Sequence, residues 1–254
     1  MISAEDSARV GFQNPFQMLW GLAADVFIFF YTIALGSAAV VLTLLTRKPI
    51  FVDILGRWWC KGIVKACGIE VEVRGLEGID RSRSYVMLSN HLSNFDIWCT
   101  IAALPLNIHF VAKKELLRLP FFGQALAVSD HIVIDRSKPE EAVEIINRRS
   151  AAQIGDGFCI LFYAEGTRSA AGKVGPFKKG GTVLALRTGL PIIPLSISGT
   201  RKFLPKSSVI IRPRGKVLIV LDKPIETRGL SLEDRDAVTD KVRDVVIRNY
   251  VEEY

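Results

Sequence analysis

Apolar positions fall along this chain in three patterns, and each predicts a different element. The first is an unbroken run. Residues 26–46, VFIFFYTIALGSAAVVLTLLT, hold no formal charge over 21 positions. As a helix rising 1.5 Å per residue, that run is about 31 Å long, close to the hydrocarbon thickness of a bilayer. The pattern reaches back to about residue 17, where Asp25 interrupts it, and a carboxylate inside a spanning helix is costly. Arg47, Lys48 and Pro49 close it. It lacks the basic start and the short length of a cleavable signal.

The second pattern has a period near four. In residues 51–69, FVDILGRWWCKGIVKACGI, the charges Asp53, Arg57, Lys61 and Lys65 form one polar stripe of a helix, with Trp58 and Trp59 among its apolar positions. Such a helix lies on a membrane surface or packs against the domain that follows. Residues 1–69 are therefore expected to be an N-terminal helical membrane anchor, with an apolar helix at about 17–46 and an amphipathic helix at about 51–69. If the apolar helix spans the bilayer, its basic C-terminal flank puts the remaining chain on the cytoplasmic side. Lying in one leaflet suits Asp25 better, and a buried core helix is the third reading of the run.

The third pattern is an alternation. Short β-rich runs at 70–73, 85–88, 108–112, 131–135, 158–163, 191–197, 209–213 and 217–221 are separated by helical patterns at about 95–104, 139–154 and 180–188, with a last helix at about 232–254. This order predicts an α/β domain over residues 70–254, with a mixed, mostly parallel sheet flanked by helices.

Charge and cysteine usage refine that outline. The chain of 254 residues carries a formal net charge of +7. Its mean hydropathy of +0.27 is high for a wholly soluble protein. The excess of cations suits a phosphate-bearing partner. Cys60, Cys67, Cys99 and Cys159 are scattered, with neither a disulfide framework nor zinc-site spacing, which suits a reducing compartment.

Two junctions hold candidate chemistry. SNHLSNFD, residues 89–96, lies between a predicted strand and a predicted helix. If His91 ends the strand and Ser93 or Asn94 caps the helix, the turn can fold Asp96 onto the imidazole. A carboxylate on one ring nitrogen fixes the tautomer and makes the other nitrogen a better base. An ordinary capped turn with an exposed histidine is the plain alternative. The second junction, residues 161–181, follows a strand and carries Glu165, Gly166, Thr167, Arg168, Lys173, Lys178 and Lys179. A glycine for close approach, with hydroxyl and guanidinium donors, can hold a phosphate; a solvated basic loop reads equally well.

Together, NHLSNFD (residues 90–96) and YAEGTRS (residues 163–169) resemble the glycerolipid acyltransferase family, and most closely its 1-acylglycerol-3-phosphate acyltransferases. The first motif of that family, N-H-x-x-x-x-D, matches fully. In the third, F-P-E-G-T-R-S, Tyr163 and Ala164 replace Phe and Pro. HIVIDR with Arg136 resembles the second motif, LPIIPLS the fourth, and VAKKEL, residues 111–116, the lysine-bearing segment between the first two. The likeness covers about residues 70–225. It implies transfer of an acyl group from acyl-CoA or acyl-carrier protein to the sn-2 hydroxyl of lysophosphatidic acid, making phosphatidic acid. It implies His91 as base and Asp96 as its orienter. Lys113 or Lys114, Arg136 and Arg168 would hold the phosphate, with Glu165, Gly166 and Thr167 shaping that site. Neither a resident cofactor nor a metal is expected, nor nucleic acid as a partner; the oligomeric state is open.

Other readings make different demands. Another lysolipid as acceptor fits the same residues. A serine hydrolase needs G-x-S-x-G, which the chain lacks. A metal site joining His91, His109 and His131 competes with plain strand positions for the last two. A non-catalytic membrane protein binding anionic lipid would explain anchor and charge but not the His–Asp pair.

Overall fold

The computed structural model describes residues 15–135, 144–145, 157–169, 173–205, 208, 210–252 and 254. Helix α1 (Pro15–Thr46) and helix α2 (Ile50–Ala66) form a hairpin. They lead into strand β1 (Ile69–Arg74), β2 (Tyr85–Ser89), helix α3 (Phe95–Ala103), β3 (Asn107–Lys113), α4 (Phe122–Ala127) and β4 (Ile132–Ile134). After these come β5 (Phe158–Tyr163), α5 (Gly180–Thr188), β6 (Ile192–Ser198), β7 (Gly215–Leu221) and α6 (Arg235–Asn249).

Among the described residues, seven strands form one sheet in the order β1-β7-β6-β2-β5-β3-β4. Its central pairs β6–β2, β2–β5, β5–β3 and β3–β4 are parallel; β6 and β7 are antiparallel, and β1 runs parallel to β7. The sheet is mixed and mostly parallel, as the alternation predicts. The central strands read as continuous apolar runs because both faces are covered. On one face Met87 of β2, Leu161 of β5 and Leu195 of β6 need a partner layer. Ile63 of α2 with Phe95 and Cys99 of α3 supplies it, in a single buried cluster. On the other face Val86, Leu88 and Ile160 meet Leu184 of α5 and Val238, Val242 and Val246 of α6.

The helical hairpin is continuous with this core. Ala24, Ile63, Val64 and Cys67 belong to the same cluster as the sheet. The apolar side of α2 packs against the domain. Its polar stripe is put to use too, because Arg57 donates to the carbonyls of Ile101, Leu104 and Leu106 at 2.8, 2.5 and 2.6 Å. Those groups end α3, where carbonyls lack helical donors and a cation is favoured. Trp59 is turned inward and donates to Thr32 Oγ1 at 2.9 Å, while Trp58 remains exposed. Asp25 faces the domain and accepts the backbone N–H of Ile211.

Two predicted elements differ. The run at 209–213 forms no strand over its described residues 210–213. Pro213 lacks a ladder donor, Arg214 turns at φ 69°, and Ile211 packs under Gly21 of α1 instead of joining the sheet. The last helix starts after a 3₁₀ turn at Leu232–Asp234 and stops at Asn249, not 254. Beyond it the chain returns to the C-terminal end of β6, where Val251 N–H donates to Ser198 Oγ at 3.0 Å. The helix expected at 139–154 lies outside the described residues except for 144–145, which are helical. A 3₁₀ turn at Lys114–Arg118 and helix α4 were not foreseen.

Candidate active site

β2 and β5 are neighbours whose connections leave in opposite directions. β2 continues through α3 to β3 on one side, and β5 through α5 to β6 on the other. A crevice outside the carboxyl ends of such strands is the usual place for a ligand in an open α/β sheet. Both chemical motifs stand there, residues 90–96 after β2 and residues 164–169 after β5.

The turn after β2 is held by hydrogen bonds from three directions. The Asn90 amide is fully buried; Nδ2 donates to the Ile197 carbonyl at 2.8 Å and Oδ1 accepts the Ile197 N–H at 2.9 Å. It thus extends the β2–β6 ladder by one side-chain rung. Ser93 Oγ donates to the Leu204 carbonyl at 2.9 Å and accepts the Phe95 N–H at 3.3 Å, while Asn94 caps α3 without a side-chain bond. Asp96 falls in the first turn of α3, buried completely. Its Oδ2 meets His91 Nδ1 at 2.6 Å and accepts the N–H groups of Leu92 and Ser93 at 2.6 and 3.0 Å. Its Oδ1 accepts the hydroxyl of Thr200. An ionised carboxylate only accepts, so Nδ1 carries the proton and Nε2 presents its lone pair.

The loop after β5 closes on the same histidine. The His91 N–H donates to Glu165 Oε1 at 2.8 Å, the Gly175 N–H to Glu165 Oε2 at 3.0 Å, and the Ser169 N–H to the His91 carbonyl at 2.8 Å. Burial raises the Glu165 carboxyl above the ordinary range against the pull of those two backbone donors. Glu165 therefore braces the loop and the backbone of His91. The Tyr163 ring stacks on the imidazole, centroids 4.2 Å and planes 22° apart. Its buried hydroxyl is held well above the usual phenol range by burial and by the nearby Asp96 charge.

Gly166 takes φ 74° and leaves room for a lysine: a Cβ there would lie 2.9 Å from Lys178 Nζ. Thr167 is exposed and Arg168 partly buried on the same loop, two residues and one residue before Ser169. Lys113 ends β3, one strand beyond β5, and pairs with Glu115 at 3.5 Å; Lys114 opens the 3₁₀ turn that follows and pairs with Asp135. Arg136 lies outside the described residues. His109 and His131 pack on each other with ring centroids 5.6 Å apart, beside Asp53. Sequence reasoning missed Tyr163 and Thr200 as site residues. The Tyr-for-Phe exchange in the third motif marks the first; no local signal marks the second.

An imidazole aligned by a buried carboxylate, beside a glycine-turned loop rich in cations, has the chemistry to deprotonate an alcohol next to an anionic group. Comparison with known proteins agrees with that class. A family model described as acyltransferase matches residues 70–198, just over half of the chain. The chain belongs to the acyltransferase family. It is 30% identical over 213 residues to the 1-acyl-sn-glycerol-3-phosphate acyltransferase of Saccharomyces cerevisiae, covering 83% of this chain and 69% of the relative. It is 32% identical over 182 residues to the protein of that name in Limnanthes alba, covering 72% of this chain. It spans 64% of that relative and 45% of a Brassica napus one, so less than two thirds of either. The crystal structure of the 1-acyl-sn-glycerophosphate (LPA) acyltransferase PlsC from Thermotoga maritima superposes with a TM-score of 0.74 at 27% identity, covering 92% of this chain and 95% of that one.

Proposed function

We propose that this chain is a 1-acylglycerol-3-phosphate O-acyltransferase, moving an acyl group from a thioester to the sn-2 hydroxyl of lysophosphatidic acid and releasing phosphatidic acid. The observation that carries this reading is the His91 Nδ1–Asp96 Oδ2 contact of 2.6 Å, joined by the Ser169 N–H to the Glu165–Arg168 loop. The relatives' names supply the acceptor, and acylation of its free hydroxyl gives the product.

In this mechanism His91 Nε2 takes the proton of the sn-2 hydroxyl as the oxygen attacks the thioester carbonyl. A C–O bond forms, the C–S bond breaks, and the thiolate leaves with the proton from Nε2. Asp96 keeps the imidazole in the required tautomer and stabilises its charged form. Arg168, Arg136 and Lys113 or Lys114 hold the acceptor phosphate, with Gly166 and Thr167 shaping its cradle. Cations at fixed positions turn that phosphate into a handle that places the hydroxyl. Acyl-CoA and acyl-carrier protein both supply the thioester this step needs.

The same reading places the protein at a membrane. α1 is long and apolar enough to cross one by length and composition. Its small residues face the domain, with Gly21 against Ile211, Gly36 against Phe121, and Ala24 and Ala39 buried. Phe16, Leu19, Phe29, Phe30 and Leu45 face outward and are mostly exposed. A helix docked this way along its length supports immersion of its outer face in one leaflet, with the site level with its lipid substrate. The free cysteines Cys60, Cys67, Cys99 and Cys159 suit a domain on the reducing, cytoplasmic side.

The test is acyl transfer by the purified full chain in mixed vesicles, with a panel of lysolipids and both donors. Lysophosphatidic acid is the expected acceptor, and His91→Ala abolishes turnover. Preference for a choline or ethanolamine lysolipid would move the acceptor to another headgroup. Lipid binding without transfer would remove the enzymatic reading.

A further inference from the structure

We propose that Thr200 is a positioning residue of the His91–Asp96 pair, its hydroxyl clamping Asp96 Oδ1 so that Oδ2 stays aligned with the imidazole. The inference rests on the acyl-transfer reading of that pair and adds a part to it.

A carboxylate bonded through one oxygen alone can swing about its Cβ–Cγ bond. In Asp96 the burden is uneven. Oδ2 takes the ring nitrogen and two backbone N–H groups, whereas Oδ1 takes the Thr200 hydroxyl. Both residues are fully buried, so water does not stand in for a missing donor. Anchoring Oδ1 fixes the carboxylate plane, and with it the direction from which Oδ2 receives the Nδ1 proton.

Thr200 is itself held firmly. It follows β6 directly, in a 3₁₀ turn at Thr200–Lys202 entered through Gly199 at φ 90°. A Cβ at Gly199 would stand 2.6 Å from the Lys216 carbonyl, so the turn is pressed against β7. The Phe203 N–H closes the turn on the Thr200 carbonyl at 3.2 Å. This gives the strand after α5 a share in the chemistry. Asn90 aligns the start of the first motif on Ile197, and Thr200, three residues on, aligns its end.

Thr200→Val keeps shape and removes the donor; Thr200→Ser keeps the donor. Because Thr200 is buried behind Asp96, the valine variant lowers kcat about tenfold to a hundredfold, no more than the low end of what a general base supplies, and leaves KM for lysophosphatidic acid near wild type. With one donor gone, the carboxylate charge gathers on Oδ2 and attracts the protonated ring more strongly. The protonated, inactive form then persists to higher pH, and the acidic limb of the rate profile moves up. Serine restores both rate and limb, which a merely structural residue would not require of a hydroxyl. The low-field proton resonance of His91 Nδ1–H reads the same alignment without substrate, and it shifts in valine and returns in serine.

Unchanged kcat, limb and resonance in Thr200→Val would overturn the proposal. Should valine unfold the chain, serine against cysteine compares a strong with a weak donor of similar size. Equal rates and resonances overturn the clamp, and a deficit confined to cysteine supports it. If the wild-type chain transfers no acyl group with either donor, the proposed function fails, and the resonance decides the clamp by itself.

Discussion

The imidazole of His91 lies almost parallel to the phenol ring of Tyr163, with 4.2 Å between centroids. Asp96 holds that imidazole in its plane, and Tyr163 supports one face, so the ring has lost both its rotation and its tilt. The Tyr163 hydroxyl lies toward Thr100 of α3, and among the described residues neither hydroxyl has a partner in full hydrogen-bond geometry.

Tyr163→Phe and Tyr163→Ala therefore separate ring from hydroxyl. Phenylalanine keeps the stack and relieves an unsatisfied buried oxygen. Its kcat should stay within about threefold of wild type, with a melting temperature equal or higher. Alanine frees the imidazole, and kcat should fall about tenfold or more as the base loses its alignment. Steady-state rates and thermal melts check both. An alanine variant of wild-type activity would deny the stack any role.

Asn90 makes a structural prediction. Replacing it with Ala leaves the N–H and the carbonyl of Ile197 unpaired in the core. At about 1–3 kcal/mol for each of the two buried unsatisfied groups, the variant should lose roughly 2–6 kcal/mol in urea unfolding. Asn90→Asp should do no better, because an ionised carboxylate cannot donate to the Ile197 carbonyl. Full stability in either variant would contradict the side-chain rung.

Gly21 tests the docking of α1. A Cβ at this position would collide with the Ile211 carbonyl oxygen, which backbone cannot accommodate without moving. Gly21→Leu should lift the start of α1 from residues 210–214. It should also expose Trp20, whose Nε1 now donates to the Ala66 carbonyl at 2.9 Å. Fluorescence quenching of Trp20, in a chain whose other tryptophans are replaced by Phe, follows the change. Unaltered quenching would mean that α1 is not packed against this segment.

His131 gives the fold an acid limit. Burial lowers its pKa from 6.5 to about 4, with the His109 ring adding to the fall and the Asp53 charge opposing it. Between those values the unfolded chain binds a proton that the native chain refuses, so stability is complete above about pH 6.5 and declines as pH falls toward 4. The loss is at most about 3 kcal/mol. His131→Phe should flatten the dependence of the melting temperature on pH in that window. An unchanged slope would place the titrating group elsewhere.

Much of this was legible from local pattern. The periods of apolar residues predicted helices α1 and α2, six of the seven described strands nearly to the residue, and α5 at 180–188. Such patterns report neighbours a few positions apart, which sequence displays directly. The pairing of His91 with Asp96 was legible for the same reason, since one turn separates a strand end from a helix start. Residues 209–213 misled because an apolar β-branched run serves a strand or a packed irregular segment equally well, and Pro213 with Arg214 decided for the second.

Other features waited on the sheet. The order β6-β2-β5 sets the fourth-motif strand beside the first motif, which brings Ile197 to Asn90 and Thr200 to Asp96 from distant parts of the chain. It also sets Tyr163 under His91. A buried hydroxyl or amide that bonds to a distant group has no periodicity and no local charge to announce it, because its partner exists only once the strands are laid side by side. The direction of α1 was decided in the same way. Its composition suits any apolar surroundings, and the side holding Gly21, Ala24, Gly36 and Ala39 acquired meaning only from the domain that packs against it.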